Sequence, residues 1–224
     1  MIVSPANEKL KLVRKLAQKR HRLETGLFVA EGEDLVAAAR AAGIEPVELL
    51  VAGENVDERV LADVSTLPHP ARTIAVYRAA DLPRETRELA LALWRVADPG
   101  NVGTLLRTAD AFAAAVALSP GCADPLGAKA LRASAGAIFR VPLVAWDDLP
   151  GRRIALAAHG GTPLADLDLS PPLTLVLGAE REGLPAELVA QSQDVATIPL
   201  PGAAESLNVA AAGAIALHEV RRSR

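Results

Sequence analysis

Three short stretches in the second half of the chain gather side chains that could do chemistry. The first, DPGNVGTLLRTAD at 98–110, holds Asn101 and, six positions later, Arg107. A carboxamide both donates and accepts hydrogen bonds, and a guanidinium offers a planar fork that fits two oxygens of a phosphate at once. The second, LGAEREGL at 177–184, sets Glu180 between Gly178 and Gly183. Glycines at that spacing allow a tight turn and let a ligand come close to the backbone. In the third, IPLPGAAESLNVAAAGAIAL at 198–217, two prolines and Gly202 stiffen a loop, and Ser206 and Asn208 fall where an alanine-rich helix begins. Each stretch also has a plain structural reading. Asn101 and Ser206 are good helix caps, Arg107 suits a helix surface, and Glu180 suits a solvated glycine turn.

The elements around these stretches decide whether they meet. From residue 89 onward, apolar runs of strand length at 89–94, 115–118, 154–157, 174–177 and 195–198 alternate with helical stretches at 104–113, 126–133, 185–191 and 207–221. Such alternation predicts an α/β fold with a mostly parallel sheet covered by helices. All three polar stretches then follow strands, and ligands bind in the crevice outside the carboxyl ends of strands in such sheets.

The first 78 residues read differently. Leu10, Val13, Leu16 and Ala17 form one stripe of a basic amphipathic helix at 7–20. An apolar run at 28–30, a helix at 33–42 stopped by Gly43, a second run at 47–51, a weak helix at 54–62 and a run at 73–77 complete a small α/β/α unit. The polar segment AADLPRETR at 79–87 suits a linker, so the expected division is 1–78, then 79–87, then 88–224.

Charge is spread unevenly along the chain. The net charge of −3 argues against a nucleic-acid partner, but residues 1–28 carry Lys9, Lys11, Arg14, Lys15, Lys19, Arg20 and Arg22 against only Glu8 and Glu24. An electropositive head on an acidic body is the pattern of a chain that holds phosphates at one end. The same pattern also fits a solvated helix face. A single cysteine, Cys122, excludes an internal disulfide, four scattered histidines show no metal-ligand spacing, and no apolar run approaches the length of a signal or spanning segment. The expectation is a cytoplasmic protein with no metal and no membrane contact. A Rossmann-type dinucleotide or methyltransferase site would show GxGxxG after its first strand, and a serine hydrolase would show GxSxG; neither is present.

Taken in order, NxGxxxRT, LGxExxGL and IPxxGxxxSLNVxxA identify a resemblance. The chain from 88 to 224 resembles the SpoU branch of the SPOUT RNA ribose 2′-O-methyltransferases. Residues 1–77, including FVAEGEDLVAAA at 28–39, resemble the ribosomal-protein-like RNA-binding domain that precedes the catalytic domain in many members. Ala113 departs from the family pattern, where glycine is usual, and so does Ala211, where serine or threonine is common.

The resemblance implies a deep trefoil knot, with the chain from about residue 174 threading back through a loop, although knots are rare in proteins. It implies S-adenosyl-L-methionine held by Ala157, Leu177, Gly178, Ile198 and Leu207. It implies Arg107 as the catalytic residue, with Asn101, Glu180, Ser206 and Asn208 around it, and a homodimer formed through the catalytic domain. The substrate expected is structured RNA, ribosomal rather than transfer RNA, because the added front unit suits a large target. The rival reading is a ribosome-associated RNA-binding protein of the same fold without catalysis, disfavoured because all five polar residues are intact.

Overall fold

The computed structural model describes residues 1–223 and contains two sheets. The first sheet is built from β1 (Leu27–Glu31), β2 (Glu48–Val51) and β3 (Thr73–Arg78), with β3 in the middle and both pairings antiparallel. Helices α1 (Glu8–Leu16), α2 (Lys19–Thr25), α3 (Glu33–Ala41) and α4 (Glu58–Ala62) accompany it.

The basic helix expected at 7–20 is two helices. Gln18 adopts an extended backbone, and Arg22 Nη1 donates to the carbonyls of Leu16 and Ala17, which would otherwise be left over at the end of α1. The rest of the Arg22 guanidinium holds Asp124, at 2.6 Å from Nη2, in the second half of the chain. A contact across about a hundred residues has no signal in local periodicity. The weak helix expected at 54–62 shrinks to α4 because Asp57, rather than Glu54, provides the N-cap, accepting from Arg59 N and Val60 N.

The second sheet has the order β5-β4-β8-β6-β9-β7, every pairing parallel, from β4 (Leu89–Leu93), β5 (Ala115–Leu118), β6 (Arg152–Leu156), β7 (Thr162–Pro163), β8 (Leu173–Leu177) and β9 (Asp194–Thr197). Only the two-residue β7 has no counterpart in the apolar runs. Strands β4 and β8 are buried at every position, as expected for central strands covered on both faces. The remaining helices are α5 (Pro99–Ala111), α6 (Ala128–Ser134), α7 (Ala186–Gln191) and α8 (Val209–Arg222).

Two glycines set how closely these helices cross. A Cβ on Gly103 of α5 would collide with the Ala130 carbonyl and stand 2.5 Å from Ala133 Cβ, and one on Gly213 of α8 would stand 2.5 Å from Leu105 Cδ2. Helix α5 is thereby pressed between α6 and α8 with its N-terminus fixed. It begins five residues before the apolar period suggests, because Asp98 caps it by accepting from Asn101 N and Pro99 occupies the first turn. Asn101 is therefore not the cap, and its side chain is free for other partners. At the far end, Ala113 sits at a left-handed φ of 52°, where glycine would fit without strain; it is one of the two positions at which the chain departs from the pattern it resembles.

The segment 79–87 joins the sheets without acting as a loose spacer. Leu82 is buried, Pro83 accepts a backbone bond from Leu143, and Arg87 donates to the Arg140 carbonyl. One hydrophobic core runs through both sheets, and Phe28, Tyr77 and Phe139 stack in it with ring centroids 5.1–6.1 Å apart. Among the described residues no helix is long and apolar enough to cross a membrane.

Candidate functional site

The carboxyl ends of β6, β8 and β9 open into a cavity at the start of α8. Its lining includes Leu156, Ala157, Leu177, Gly178, Ile198, Leu200, Leu207 and Val209, with Glu180, Arg181 and Ser206 as its polar side chains. The five positions expected to hold the cofactor are all part of this lining. Apolar walls facing one another suit a flat aromatic ring, and strand ends supply backbone groups that can read its edge. The residues present therefore fit an adenosine-bearing ligand.

Gly178 serves this cavity differently from the simple expectation of an open approach for a ligand. A Cβ there would collide with the Gly183 carbonyl carbon and stand 2.5 Å from Leu184 N. What it lets approach is the loop's own backbone: Ala179 and Gly183 exchange two hydrogen bonds, Ala179 N to Gly183 O at 3.1 Å and Gly183 N to Ala179 O at 2.9 Å. The loop is thus a closed miniature hairpin, and it presents Glu180.

Glu180 reaches the start of α5. Its carboxylate accepts from Asn101 Nδ2 at 3.0 Å and from the backbone N–H groups of Asp98 and Ala97 at 3.3 and 3.4 Å. Partial burial works to raise its pKa, but the bonds from Asn101 and from backbone N–H groups outweigh it and hold the carboxyl below its ordinary value. Asn208 completes the chain of contacts. Its Oδ1 caps α8 by accepting from Ala210 N and Ala211 N, so its Nδ2 is left to donate to Asn101 Oδ1, at 3.1 Å. That cap fixes every amide orientation: Asn101 must turn its oxygen to Asn208 and its NH2 to Glu180. Three of the polar residues, drawn from three separate stretches of the chain, form one ordered Asn208–Asn101–Glu180 relay.

Ser206 lines the cavity beside this relay but makes no hydrogen bond within the described residues. The helix cap after it is Asn208, not the serine. Arg107 is not brought to the cavity. It is exposed on α5 and its side chain makes no bond within the described residues, and at about 100° per residue it stands roughly 120° around the helix from Asn101.

A second cleft shares Ala179, Glu180 and Arg181 with the first and adds Arg95, Asp98, Asn101, Gly121 and Glu182. Sequence reading missed Asp98, Lys129 and Arg95. Asp98 caps α5 and takes Lys129 Nζ at 2.9 Å, and Lys129 first and then the N–H of Asn101 lower its pKa. The Asp-Pro-Gly start of α5 was the available signal for that cap. Arg95 and Lys129 carried no motif.

The basic head is only partly available to a ligand. Lys9 pairs with Glu48, Lys11 with Glu8 and Arg20 with Glu24 at 2.6–2.7 Å, and Arg14 donates to the Pro5 carbonyl. Lys15 and Lys19 are exposed and make no such contact within the described residues. Arg22, expected with them as an RNA contact, is buried and committed to Asp124 and the end of α1, so it ties the two halves of the chain together instead.

Comparison with known proteins assigns the fold to a class. Residues 88–218 match the SpoU rRNA methylase family, and residues 7–80 match the MRM3-like substrate binding domain. The chain belongs to the SpoU rRNA methylase family. It is 34% identical to the 23S rRNA (guanosine(2553)-2′-O)-methyltransferase RlmP of Bacillus subtilis, over 98% of each chain. Its structure is similar to the AdoMet-bound rRNA methyltransferase from Sinorhizobium meliloti, with a TM-score of 0.87 and 32% identity over 99% of this chain and 97% of that one. It is also similar to the SpoU methyltransferase AviRb from Streptomyces viridochromogenes in complex with AdoMet, with a TM-score of 0.84 and 25% identity over 97% and 98% of the two chains.

Proposed function

We propose that this protein transfers a methyl group from S-adenosylmethionine to the 2′-hydroxyl of a ribose in 23S ribosomal RNA. The observation that carries this reading is the cavity at the ends of β6, β8 and β9, which lies directly against the Asn208–Asn101–Glu180 relay. Ribosomal RNA is favoured over transfer RNA because the similarity to a 23S rRNA methyltransferase extends over the whole chain, the front unit included.

In this reading Ala157, Leu177, Gly178, Ile198 and Leu207 hold the cofactor, which when bound supplies a methyl group made electrophilic by a positively charged sulfur. The protein must align the ribose oxygen, help its proton leave and keep water out. Arginine is a donor only, so Arg107 grips a phosphate and the attacking oxygen rather than acting as a base; because it lies outside the cavity of its own chain, it does so in this reading at the cavity of the partner copy of the homodimer, and the proton passes to phosphate or a neighbour. Asn208 and Ser206 orient the ribose. Glu180 stiffens the loop and holds Asn101 in one orientation. Lys9, Lys11, Arg14, Lys15, Lys19 and Arg20 supply contacts to RNA phosphates from the front unit; where they now sit in exposed ion pairs, giving those up costs little.

The trefoil knot, the division at 79–87 and a cytoplasmic setting belong to the same reading. So does a homodimer through the catalytic unit. Sedimentation of active enzyme at micromolar concentration is expected to give twice the chain mass; an active single chain would remove the dimer from this account.

The test of function is methyl transfer from radiolabelled S-adenosylmethionine to unmodified 23S rRNA transcript, with the product mapped by resistance of the modified linkage to alkaline cleavage. Label at one ribose is the expected result. Label on a base, or label in transfer RNA alone, would overturn the assignment.

A further inference from the structure

Arg95 is a large side chain on backbone that favours glycine. Its φ is 51°, a left-handed conformation that costs any residue with a Cβ. The conformation is over-determined by its surroundings. Arg95 N donates to Ser119 Oγ at 2.9 Å, Trp94 N to the Leu177 carbonyl at 2.8 Å, and Ala123 N to the Val96 carbonyl at 2.9 Å. The side chain lies across Gly121, where a Cβ would come within 3.3 Å of Arg95 Cγ and Nε. Strained backbone held this firmly is found where a side chain must be aimed, and this one lines the second cleft together with Arg181, Asn101 and Glu180.

The charges in that cleft are unequally occupied. Asp98 is paired with Lys129 and with the first turn of α5, and Glu180 accepts from Asn101 and two backbone N–H groups. Arg181 has no hydrogen bond or ion pair within the described residues. Among the described residues the Arg95 guanidinium pairs only with Glu182, 4.0 Å away, with both side chains more than half exposed, a pair of little strength. The cleft therefore keeps two guanidinium groups open while its inner carboxylates are satisfied. Two planar forks in the cleft that also holds Asn101 match the phosphates that flank a nucleotide.

We propose that Arg95 and Arg181 form a phosphate-holding pair that seats the RNA backbone of the target nucleotide in the second cleft, beside Asn101. The inference rests on the RNA methyltransferase reading above. Glu182 is its competitor: it occupies Arg95 weakly until RNA displaces it.

The test uses the full chain, unmodified 23S rRNA transcript and three variants. Arg95→Gly removes the fork and places the residue best suited to that backbone, so the urea midpoint should hold or rise while the KM for RNA rises about tenfold. The kcat should fall far less than that. The slope of log affinity against log salt should fall by about 0.7–0.9, one phosphate contact. Because Arg95 does not line the first cavity, S-adenosylmethionine affinity by calorimetry should stay unchanged. Arg181→Ala should weaken RNA in the same way, and Glu182→Gln should tighten it. Unaltered KM and salt slope in Arg95→Gly would overturn the pair, as would Glu182→Gln weakening RNA as much as Arg95→Gly does. If the unsubstituted protein transfers no methyl group to RNA, the underlying reading fails and takes this one with it, an outcome visible before any variant is made.

Discussion

Replacing Arg107 with alanine should lower single-turnover methyl transfer at least about 100-fold, the scale of about 3 kcal/mol lost when a transition-state contact is removed. S-adenosylmethionine affinity should be unchanged, because Arg107 is exposed on α5 and lies outside the lining of the cavity. The fold should be unchanged too, since the side chain makes no bond within the described residues. Arg107→Lys should recover little, because lysine keeps the charge and loses the planar fork that grips two oxygens. Rapid-quench measurement with saturating cofactor and RNA isolates the chemical step. A near-normal single-turnover rate in Arg107→Ala would move the catalytic role to Glu180 or Ser206, which do line the cavity.

The second large effect is expected at Gly178. In Gly178→Ala the new Cβ meets backbone atoms of Gly183 and Leu184, which have no side-chain freedom with which to yield. The hairpin joining Ala179 to Gly183 must open, at a cost of about 1–3 kcal/mol as for other overpacked sites. The same loop closes the cavity and presents Glu180 to Asn101, so both properties should fail together. Calorimetry should show cofactor affinity reduced about 10–100-fold on that energy scale. The circular dichroism spectrum should be retained, because β8 and the core beneath the loop are untouched. Unchanged affinity in a folded Gly178→Ala protein would place the cofactor elsewhere. Arg107→Ala and Gly178→Ala thus separate chemistry from cofactor binding in one enzyme.

Removing the front unit is a poor test of its role. Phe28 and Tyr77 stack on Phe139 in a core common to both sheets, so a cut at the 79–87 segment would expose apolar surface on the catalytic half. The exposed Lys15 and Lys19 are the cleaner places to change charge without changing packing.

The amino-acid sequence by itself determined the parallel sheet, because strands buried on both faces read as near-continuous apolar runs, and β4, and β8 apart from Thr174, read as such without any partner in view. It also determined which loops carry the polar residues, since motif spacing is a local property. Contacts between segments far apart in the chain were beyond it. Periodicity ran α1 and α2 together because the break is held by Arg22 reaching Asp124, and the same contact removed Arg22 from the RNA-facing set. Gly178 read as open space for a ligand, and only the returning backbone of Gly183 shows what fills it. Asn101 read as a helix cap; tertiary structure gave the cap to Asp98 and joined Asn101 to Asn208 and Glu180. Arg95 carried no motif at all, because strain in a backbone is a property of the chain's surroundings and is written in no single residue.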